Sequence, residues 1–112
     1  MGSRVPSRFA GTWRVASSPD FDREYLEIEG RPFVMIGKGR RQALGEFHIG
    51  LLSGEIDAWF EGEVLRFTFD GTDEGDPICG AGTARREGDR LLLVLKLHGG
   101  DAYTFVCRRA RS

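Results

Sequence analysis

The 112-residue chain has few of the features that would assign it to a specialised class of protein. It contains two cysteines, Cys79 and Cys107, which are too few for a disulfide framework and lack the spacing of a metal site. Because each falls within a predicted strand, we expect both to be buried thiols that pack as small apolar groups. A disulfide between them is the less favoured alternative in a reducing compartment.

The sequence also lacks an excess of charge of either sign and any long apolar run. Sixteen basic and seventeen acidic residues give a formal net charge of −1, so no overall field attracts nucleic acid or an anionic membrane. No segment approaches the apolar length of a membrane span, and the N-terminus lacks the apolar region of a signal peptide. We therefore expect a cytoplasmic protein with no nucleic-acid and no membrane partner.

Motifs of catalysis and metal binding are missing as well. The sequence has no Gly-x-Ser-x-Gly, His-Glu-x-x-His, phosphate-binding loop or Cys-x-x-Cys. Its two histidines, His48 and His98, offer fewer ligands than a zinc site needs. We expect no metal, no haem and no other cofactor.

Glycine, by contrast, is abundant. Most of the sixteen glycines lie between short alternations of apolar and polar residues, which is typical of a β-meander. No window has the periodicity of an amphipathic helix. The predicted strands are residues 12–18, 24–29, 32–37, 44–52, 55–61, 63–70, 77–86, 90–98 and 101–109.

Short connections between these strands favour antiparallel pairing of neighbours. Residues 61–63, 86–90 and 99–101 each place a glycine where a tight hairpin needs a positive φ. Strands without helices either stack as a sandwich or close on themselves, and closure removes the exposed edges. We predict an all-β fold, a small antiparallel up-and-down β-barrel of about eight strands. Residues 9–112 would form this single domain, after a flexible N-terminus of residues 1–8.

Side chains alternate between the two faces of a strand, so the pattern also predicts the barrel interior. The face made of leucines in the segment 90–98 is expected to point inward. The predicted interior comprises Phe47, Ile49, Leu51, Ile56, Ala58, Phe60, Leu65, Phe67, Phe69, Leu91, Leu93, Leu95, Leu97, Tyr103, Phe105 and Cys107.

Two glycines interrupt this apolar interior. Gly80 and Gly82 are predicted to point inward between a phenylalanine-rich strand and a leucine-rich strand. Either neighbouring rings cover them, or the missing side chains leave room for a guest molecule, which we favour. The predicted ligand-binding residues, with Tyr103 as the polar group, are Phe47, Phe67, Phe69, Gly80, Gly82, Leu93, Leu95, Tyr103 and Phe105.

The first predicted strand begins near a Gly-Thr-Trp at residues 11–13, and the last ends on Arg108 and Arg109. This combination resembles the lipocalin and wider calycin pattern. In that family the tryptophan plugs the closed end of the barrel and the arginine packs across its ring. The resemblance implies barrel-closing roles for Trp13 and for Arg109 or its neighbour. An indole can seal a narrowing barrel, and a guanidinium stacks favourably on its face.

A second resemblance runs through most of the chain. The runs that carry it are Gly11-Thr12-Trp13-Arg14-Val15, Gly45-Glu46-Phe47 with Gly50, Gly71-Thr72-Asp73-Glu74-Gly75-Asp76, Gly80-Ala81-Gly82 and Gly100-Asp101. They are similar to runs in a family of small uncharacterised bacterial proteins of calycin or lipocalin type. The resemblance implies a barrel and brings no activity with it.

The densest polar cluster is the acidic run of residues 70–76, Asp-Gly-Thr-Asp-Glu-Gly-Asp. It lacks the terminal bidentate glutamate of an EF-hand, so we expect a solvated hairpin tip whose carboxylates cap turns. The functional alternative is a lid over the barrel mouth, because loops at barrel ends control access.

Trp59 is predicted to lie on the outer face of the barrel. Together with the outward-facing Leu92 and Val94 it would form an apolar patch, which suggests self-association as a homodimer. A slip of one residue in register would place Trp59 inside instead.

These observations predict a barrel that binds a small apolar or amphipathic molecule in its interior, without established chemistry. Barrels of about eight strands are either filled by side chains or hold one ligand. One alternative is an enzyme that positions a hydrophobic intermediate for cyclisation or isomerisation. Another is a protein-interaction module with a filled core and a functional outer face.

Overall fold

The computed structural model describes residues 8–37 and 43–110. Within these residues, eight strands follow one another: β1 Gly11–Ser17, β2 Phe33–Ile36, β3 Ala43–Ile49, β4 Leu52–Glu61, β5 Val64–Asp73, β6 Asp76–Glu87, β7 Arg90–Leu97 and β8 Ala102–Arg109. Consecutive strands pair antiparallel, and β8 pairs with β1. The sheet therefore closes as an up-and-down barrel, which confirms the predicted fold class. The predicted flexible N-terminus, apart from Arg8, lies outside the described residues.

The segment between β1 and β2 departs from the prediction. Residues 24–29 were expected to form a strand, but Arg23–Leu26 form a single-turn helix, α1. The carboxylate of Asp22 caps this helix by accepting from the backbone N–H of Tyr25 at 2.8 Å. Leu26 is buried, whereas Ile28 is 58% exposed, so the apparent alternation does not correspond to two strand faces. No helix in the described ranges is long and apolar enough to cross a membrane.

The acidic run of residues 70–76 is mostly strand. β5 continues to Asp73 and β6 begins at Asp76, so the turn consists of Glu74 and Gly75 alone. Their φ angles are 53° and 89°, and a tight hairpin whose twist matches its strands needs positive φ at both positions. The two strands stay paired as far as this turn. The predicted solvated tip is therefore only Glu74 and Gly75.

The predicted interior is confirmed at nearly every position. The buried core includes the inward leucines of β7, the phenylalanines of β3, β5 and β8, and Trp13. Leu51 is the exception: it lies half-buried in the β3–β4 turn, and Leu52 occupies the interior instead. Gly50, with a φ of 62°, ends β3 at Ile49, three residues earlier than predicted, and shifts the alternation that follows.

The two cysteines have different environments, and the expectation that both are buried is wrong. Both thiols are free, but Cys79 is exposed and Cys107 is buried. Cys79 alternates with the inward-facing Gly80 and therefore lies on the outer face. Burial raises the pKa of Cys107 to about 12.

We expect a maleimide at neutral pH to modify Cys79 in the native protein and to leave Cys107 unmodified. The thiolate is the nucleophile, and the raised pKa of Cys107 adds to its inaccessibility. Intact-mass spectrometry should show one adduct before denaturation and two after it. The variant Cys79→Ser should show none until it is denatured, and rapid double labelling of the native wild type would contradict the described register.

Trp59 lies on the outer face as predicted, where its indole N–H donates to Glu61 at 3.3 Å. The predicted apolar patch, however, does not form. Across the sheet Trp59 pairs with Arg66, Arg66 with Thr83, and Thr83 with Val94. Two intervening strands thus separate Trp59 from Val94 by about 14 Å, at about 4.8 Å per strand. The homodimer prediction therefore loses the surface on which it rested.

Candidate functional site

The alternating direction of the strands gives the barrel two different ends. The first, which we call the plugged end, is where β1 begins and β8 ends. The β4–β5 and β6–β7 turns also lie at this end. At the second, which we call the mouth, lie the β3–β4, β5–β6 and β7–β8 turns. Residues 18–32, which include α1, join β1 to β2 at the mouth, and we call this segment the lid.

The plugged end is built around Trp13, whose side chain has no exposed surface. The indole N–H donates to the carbonyl of Phe9 at 2.9 Å. The guanidinium carbon of Arg109 lies 4.2 Å from the ring centroid, and that of Arg86 lies 5.2 Å away. Both guanidiniums also donate to the carbonyl of Arg8, at 2.7 Å each. This end is therefore closed by one ring, two cations that contact it and backbone hydrogen bonds.

Arg86 was not identified from the sequence as part of this arrangement. It occupies an inward position of β6, two residues after the buried Ala84. The alternation of faces along the strand could therefore have identified it as inward-facing. An inward arginine near a strand end is uncommon unless a partner satisfies it. The resemblance to calycins accounted for one arginine and gave no reason to look for a second.

The predicted ligand-binding residues occupy the interior between the two ends. Leu93, Leu95 and Phe105 have no exposed surface. A side chain with no accessible surface touches neither bulk water nor a cavity large enough for a water molecule. Phe47, Phe67 and Phe69 are exposed by 1–4%. The interior around the three fully buried side chains is therefore packed with protein atoms, as in other protein cores.

The two inward glycines are covered by rings. A Cβ atom on Gly82 would lie 2.6 Å from the Cζ atom of Phe67, and one on Gly80 would lie 2.9 Å from that of Phe69. The same two Cβ atoms would lie 2.1 and 2.0 Å from backbone carbonyl oxygens of β7. The sequence left two alternatives open: rings that cover the glycines, or space for a guest molecule. In this conformation the rings cover them. Glycine permits the close approach of ring and strand at these positions.

Aromatic rings close the mouth. The ring of Phe21, in the lid, lies with its centroid 4.5 Å from Tyr25, 4.8 Å from Tyr103 and 5.9 Å from Phe105. Phe21, Tyr25 and Tyr103 are half-buried, whereas Phe105 belongs to the buried interior. Phe21 therefore links the lid to the top of the core.

The lid is held firmly at its start and more weakly over α1. The Ser18 hydroxyl donates to the carbonyl of Thr104 at 2.6 Å, and the N–H of Thr104 donates to Asp20 at 2.8 Å. Over α1, the N–H of Gly50 donates to Leu26 at 3.3 Å, and the N–H of Leu51 donates to the Tyr25 hydroxyl at 3.4 Å. These last two distances are long for hydrogen bonds, so α1 is held mainly by the side chain of Leu26, which is buried in the core.

The mouth also has a polar side. Burial raises the pKa of the Tyr103 hydroxyl, and the carboxylates of Asp101, Asp73 and Asp20 raise it further. Burial likewise raises the pKa of Tyr25, although its hydrogen bond with Leu51 opposes the shift. Both hydroxyls therefore stay protonated near neutral pH. The Tyr103 hydroxyl, the predicted polar group of the site, makes no hydrogen bond with a described residue and can donate to a guest.

A groove of about 480 Å³ lies along β5, β6 and β7, next to the β7–β8 turn at the mouth. Its lining is mainly apolar. One cross-strand row, Phe69, Gly80 and Leu97, faces the interior, and the neighbouring row, Thr68, Ala81 and Lys96, lies on the outer face with Cys79 and His98. Pockets for small molecules have comparable volumes and linings. The groove thus connects the protein surface with two residues of the predicted ligand-binding set.

The histidines lie apart from one another. His48 is on the outer face, where its ring stacks on Phe33 at 6.4 Å, and His98 is exposed at the mouth. In the part of the chain that the structure describes, no group of three histidine, cysteine, aspartate or glutamate side chains converges on a point that could hold a metal ion.

Comparisons with known proteins agree with this architecture. No protein-family model matches the sequence, and no curated protein is significantly similar to it. Among solved structures, human cRBP IV has a TM-score of 0.54 at 16% sequence identity, over 94% of this chain and 100% of its own. A mutant of the fluorescent protein UnaG has a TM-score of 0.55 at 17% identity, over 94% of this chain and 98% of its own. The likeness shows the fold, a barrel of the calycin type, and membership of the bacterial family stays a prediction.

Proposed function

We propose that this protein binds a small apolar or amphipathic molecule at the mouth of its barrel, without changing it chemically. The observation that carries the proposal is the mainly apolar groove near the mouth, in which the half-buried Gly80 and Leu97 lead from the outer face toward the buried ring of Phe69. A guest would place its apolar part in this groove.

The contrast between the two ends supports this position. The plugged end is closed by a fully buried tryptophan that two guanidiniums contact. The mouth is closed by one helical turn, which the buried Leu26 side chain anchors, by two long hydrogen bonds and by the ring of Phe21. Short segments joined by few hydrogen bonds open at a lower free energy than paired strands. Entry through the mouth therefore costs less than entry through the plugged end.

Deeper binding would require the interior to rearrange. Because the rings of Phe67 and Phe69 cover Gly82 and Gly80, a guest reaches the predicted residues Phe47, Leu93, Leu95 and Phe105 only if these rings rotate. Human cRBP IV has the name of a cellular retinol-binding protein, and its likeness to this chain supports a ligand within the barrel. The filled interior favours a second candidate, a protein-interaction module that binds through its outer face.

Removing the Phe21 ring should open the mouth. We expect Nile red, a neutral apolar dye, to bind the wild type saturably at one site with a blue shift of its emission. In Phe21→Ala the association rate should rise about tenfold, because aromatic pairs that stabilise the closed lid are lost and contribute about 0.5–1.5 kcal/mol each. Stopped-flow fluorescence measures this rate.

Phe33→Ala provides the matched control, since Phe33 is a half-buried ring on the outer face that stacks on His48 and not on the rings that close the mouth. Its association rate should equal that of the wild type. Saturable binding that Phe21→Ala leaves unchanged would place the site elsewhere. If neither the wild type nor Phe21→Ala bound the dye, the interaction module would be the better description.

A further inference from the structure

The outer face of the barrel carries three arginines in direct cross-strand register. Arg90 of β7 is paired with Arg108 of β8, and Arg108 is paired in turn with Arg14 of β1. All three point outward, because they alternate with buried residues of their strands. Side chains directly opposite each other in a sheet lie about 4.5–5.5 Å apart, so like charges at such positions are destabilising. We call these three residues the basic row.

Two acids lie beside the basic row without neutralising it. Asp89 pairs with Arg108 at 3.3 Å, but the two side chains are 81% and 59% exposed, and ion pairs in water contribute little. Glu87 is opposite Arg90 across the sheet, and the ion pair that it makes is with Arg85, at 4.0 Å. The basic row therefore keeps a surplus of positive charge.

A matching row of carboxylates lies elsewhere on the outer face. Glu46 of β3 is paired with Glu55 of β4, and Glu55 is paired with Asp70 of β5. All three side chains are exposed, and the ion pairs among the described residues include none of them. We call these three residues the acidic row. It has the same number of charges as the basic row and the same register across three neighbouring strands, with the opposite sign.

One molecule cannot bring its own two rows together. The centre of the basic row is on β8 and the centre of the acidic row is on β4, and these strands are four steps apart in either direction around the closed barrel. Each step is about 4.8 Å, so the two rows lie on different sides of the molecule. Carboxylates that could offset the repulsion within the basic row must therefore come from another molecule.

Apolar side chains flank both rows. Leu92 and Val106 are cross-strand partners on the outer face, one position along their strands from the basic row, and both are half-buried. Leu44 is one position from the acidic row on the same face and is 72% exposed. Leu92 and Val106 lie on the mouth side of the basic row, whereas Leu44 lies on the plugged side of the acidic row. If the rows face each other with the two barrel axes antiparallel, these apolar side chains also meet and are removed from water.

From this complementarity we infer that the basic row docks on the acidic row of a second copy of this chain. The net charge of −1 leaves little overall repulsion between copies. Because the contact joins two different surfaces, a pair of molecules still presents one free row of each kind, and association continues beyond a dimer. Neither row lines the groove, so the inference is independent of the proposed function.

Sedimentation velocity over a concentration series tests the assembly. At about 0.01 M salt, where the screening length is about 30 Å, we expect oligomers whose size increases with protein concentration. At about 1 M salt the screening length falls to about 3 Å, and the oligomers should dissociate.

Charge reversal at the centre of each row identifies the surfaces. Arg108→Glu and Glu55→Arg should each weaken self-association about tenfold, because like charges then meet at the centre of the contact. An equimolar mixture of the two variants should associate about as strongly as the wild type, because every facing pair between the two variants again has opposite charges.

Arg31→Glu is the matched control for the change in net charge. Arg31 is an exposed residue of the lid that belongs to neither row, so its reversal should leave self-association unchanged. Circular dichroism checks that all three variants keep the fold, as expected for substitutions of exposed side chains.

A wild type that stays monomeric at low ionic strength over the whole concentration series would overturn the inference. Association that survives both charge reversals, or a mixture that associates no more strongly than the separate variants, would overturn its assignment to the two rows. If the monomeric wild type bound vesicles of anionic phospholipid and Arg108→Glu did not, the partner of the basic row would be a lipid surface instead.

Discussion

Replacement of Trp13 by alanine should lower the free energy of unfolding by about 3–5 kcal/mol, the usual range for a fully buried large aromatic side chain. The change removes the indole that fills the plugged end and the hydrogen bond to Phe9. It also leaves the guanidiniums of Arg86 and Arg109 without the ring that they contact. Urea unfolding followed by circular dichroism measures the loss.

Trp59→Ala is the matched control, because the same side chain is removed from a half-buried position on the outer face. Its hydrogen bond to Glu61 is exposed, and we expect a loss of about 1 kcal/mol or less. If Trp13→Ala cost less than Trp59→Ala, the plugged end would not depend on the indole. A calycin-type closure would then be the wrong description of this end.

Adding a single methyl group at Gly82 should destabilise the protein by about 3 kcal/mol, at the upper end of the range for overpacked sites. A Cβ atom there would lie 2.1 Å from the carbonyl oxygen of Val94 and 2.6 Å from the ring of Phe67. The backbone oxygen cannot move without disturbing the pairing of β6 with β7. The larger variant Gly82→Leu should lose more stability and give little folded protein.

Gly100→Ala tests whether the effect belongs to the site rather than to the type of substitution. Gly100 lies in the β7–β8 connection, where the nearest atom to an added Cβ is that of Leu97 at 3.3 Å. Replacement of glycine by alanine often stabilises a protein slightly, because the unfolded chain becomes less flexible. We expect a change of about 1 kcal/mol or less. A neutral or stabilising Gly82→Ala would mean that space is open beside β6 and that the interior is less packed than described.

Local patterns predicted the barrel well because its strands are regular. In β7 the alternation Leu91, Leu93, Leu95 and Leu97 assigns the interior face without reference to any other strand. Glycines marked the tight turns for a similar reason, since the positive φ that such turns need is a property of two or three residues. The closed order of strands followed, because consecutive hairpins place each strand beside the next.

The lid could not be predicted in this way. Tyr25, Leu26, Glu27 and Ile28 alternate in polarity, and the sequence was therefore interpreted as a strand. The helical turn forms because Asp22 caps it and because the Leu26 side chain packs in the core that the strands form. A segment of four residues is too short for local propensity to decide against such contacts.

The candidate site was predicted in its apolar part and missed in its charged part. Phe69, Gly80 and Tyr103 follow from strand alternation. Asp73 was treated as part of a solvated loop, so its place at the end of β5, where its charge raises the pKa of Tyr25 and Tyr103, was not anticipated. Which carboxylate acts on which hydroxyl depends on the spatial meeting of β5, β8 and the lid.

The sequence by itself determined the secondary-structure period, the turns and hence the closed antiparallel barrel, because each of these depends on residues close together in the chain. The tertiary structure alone decided what the barrel contains. The rings of Phe67 and Phe69 lie over Gly82 and Gly80 because the register of β5 against β6 makes them direct cross-strand partners. Side-chain volume and direction across neighbouring strands fix this packing, and no local pattern in the sequence encodes either.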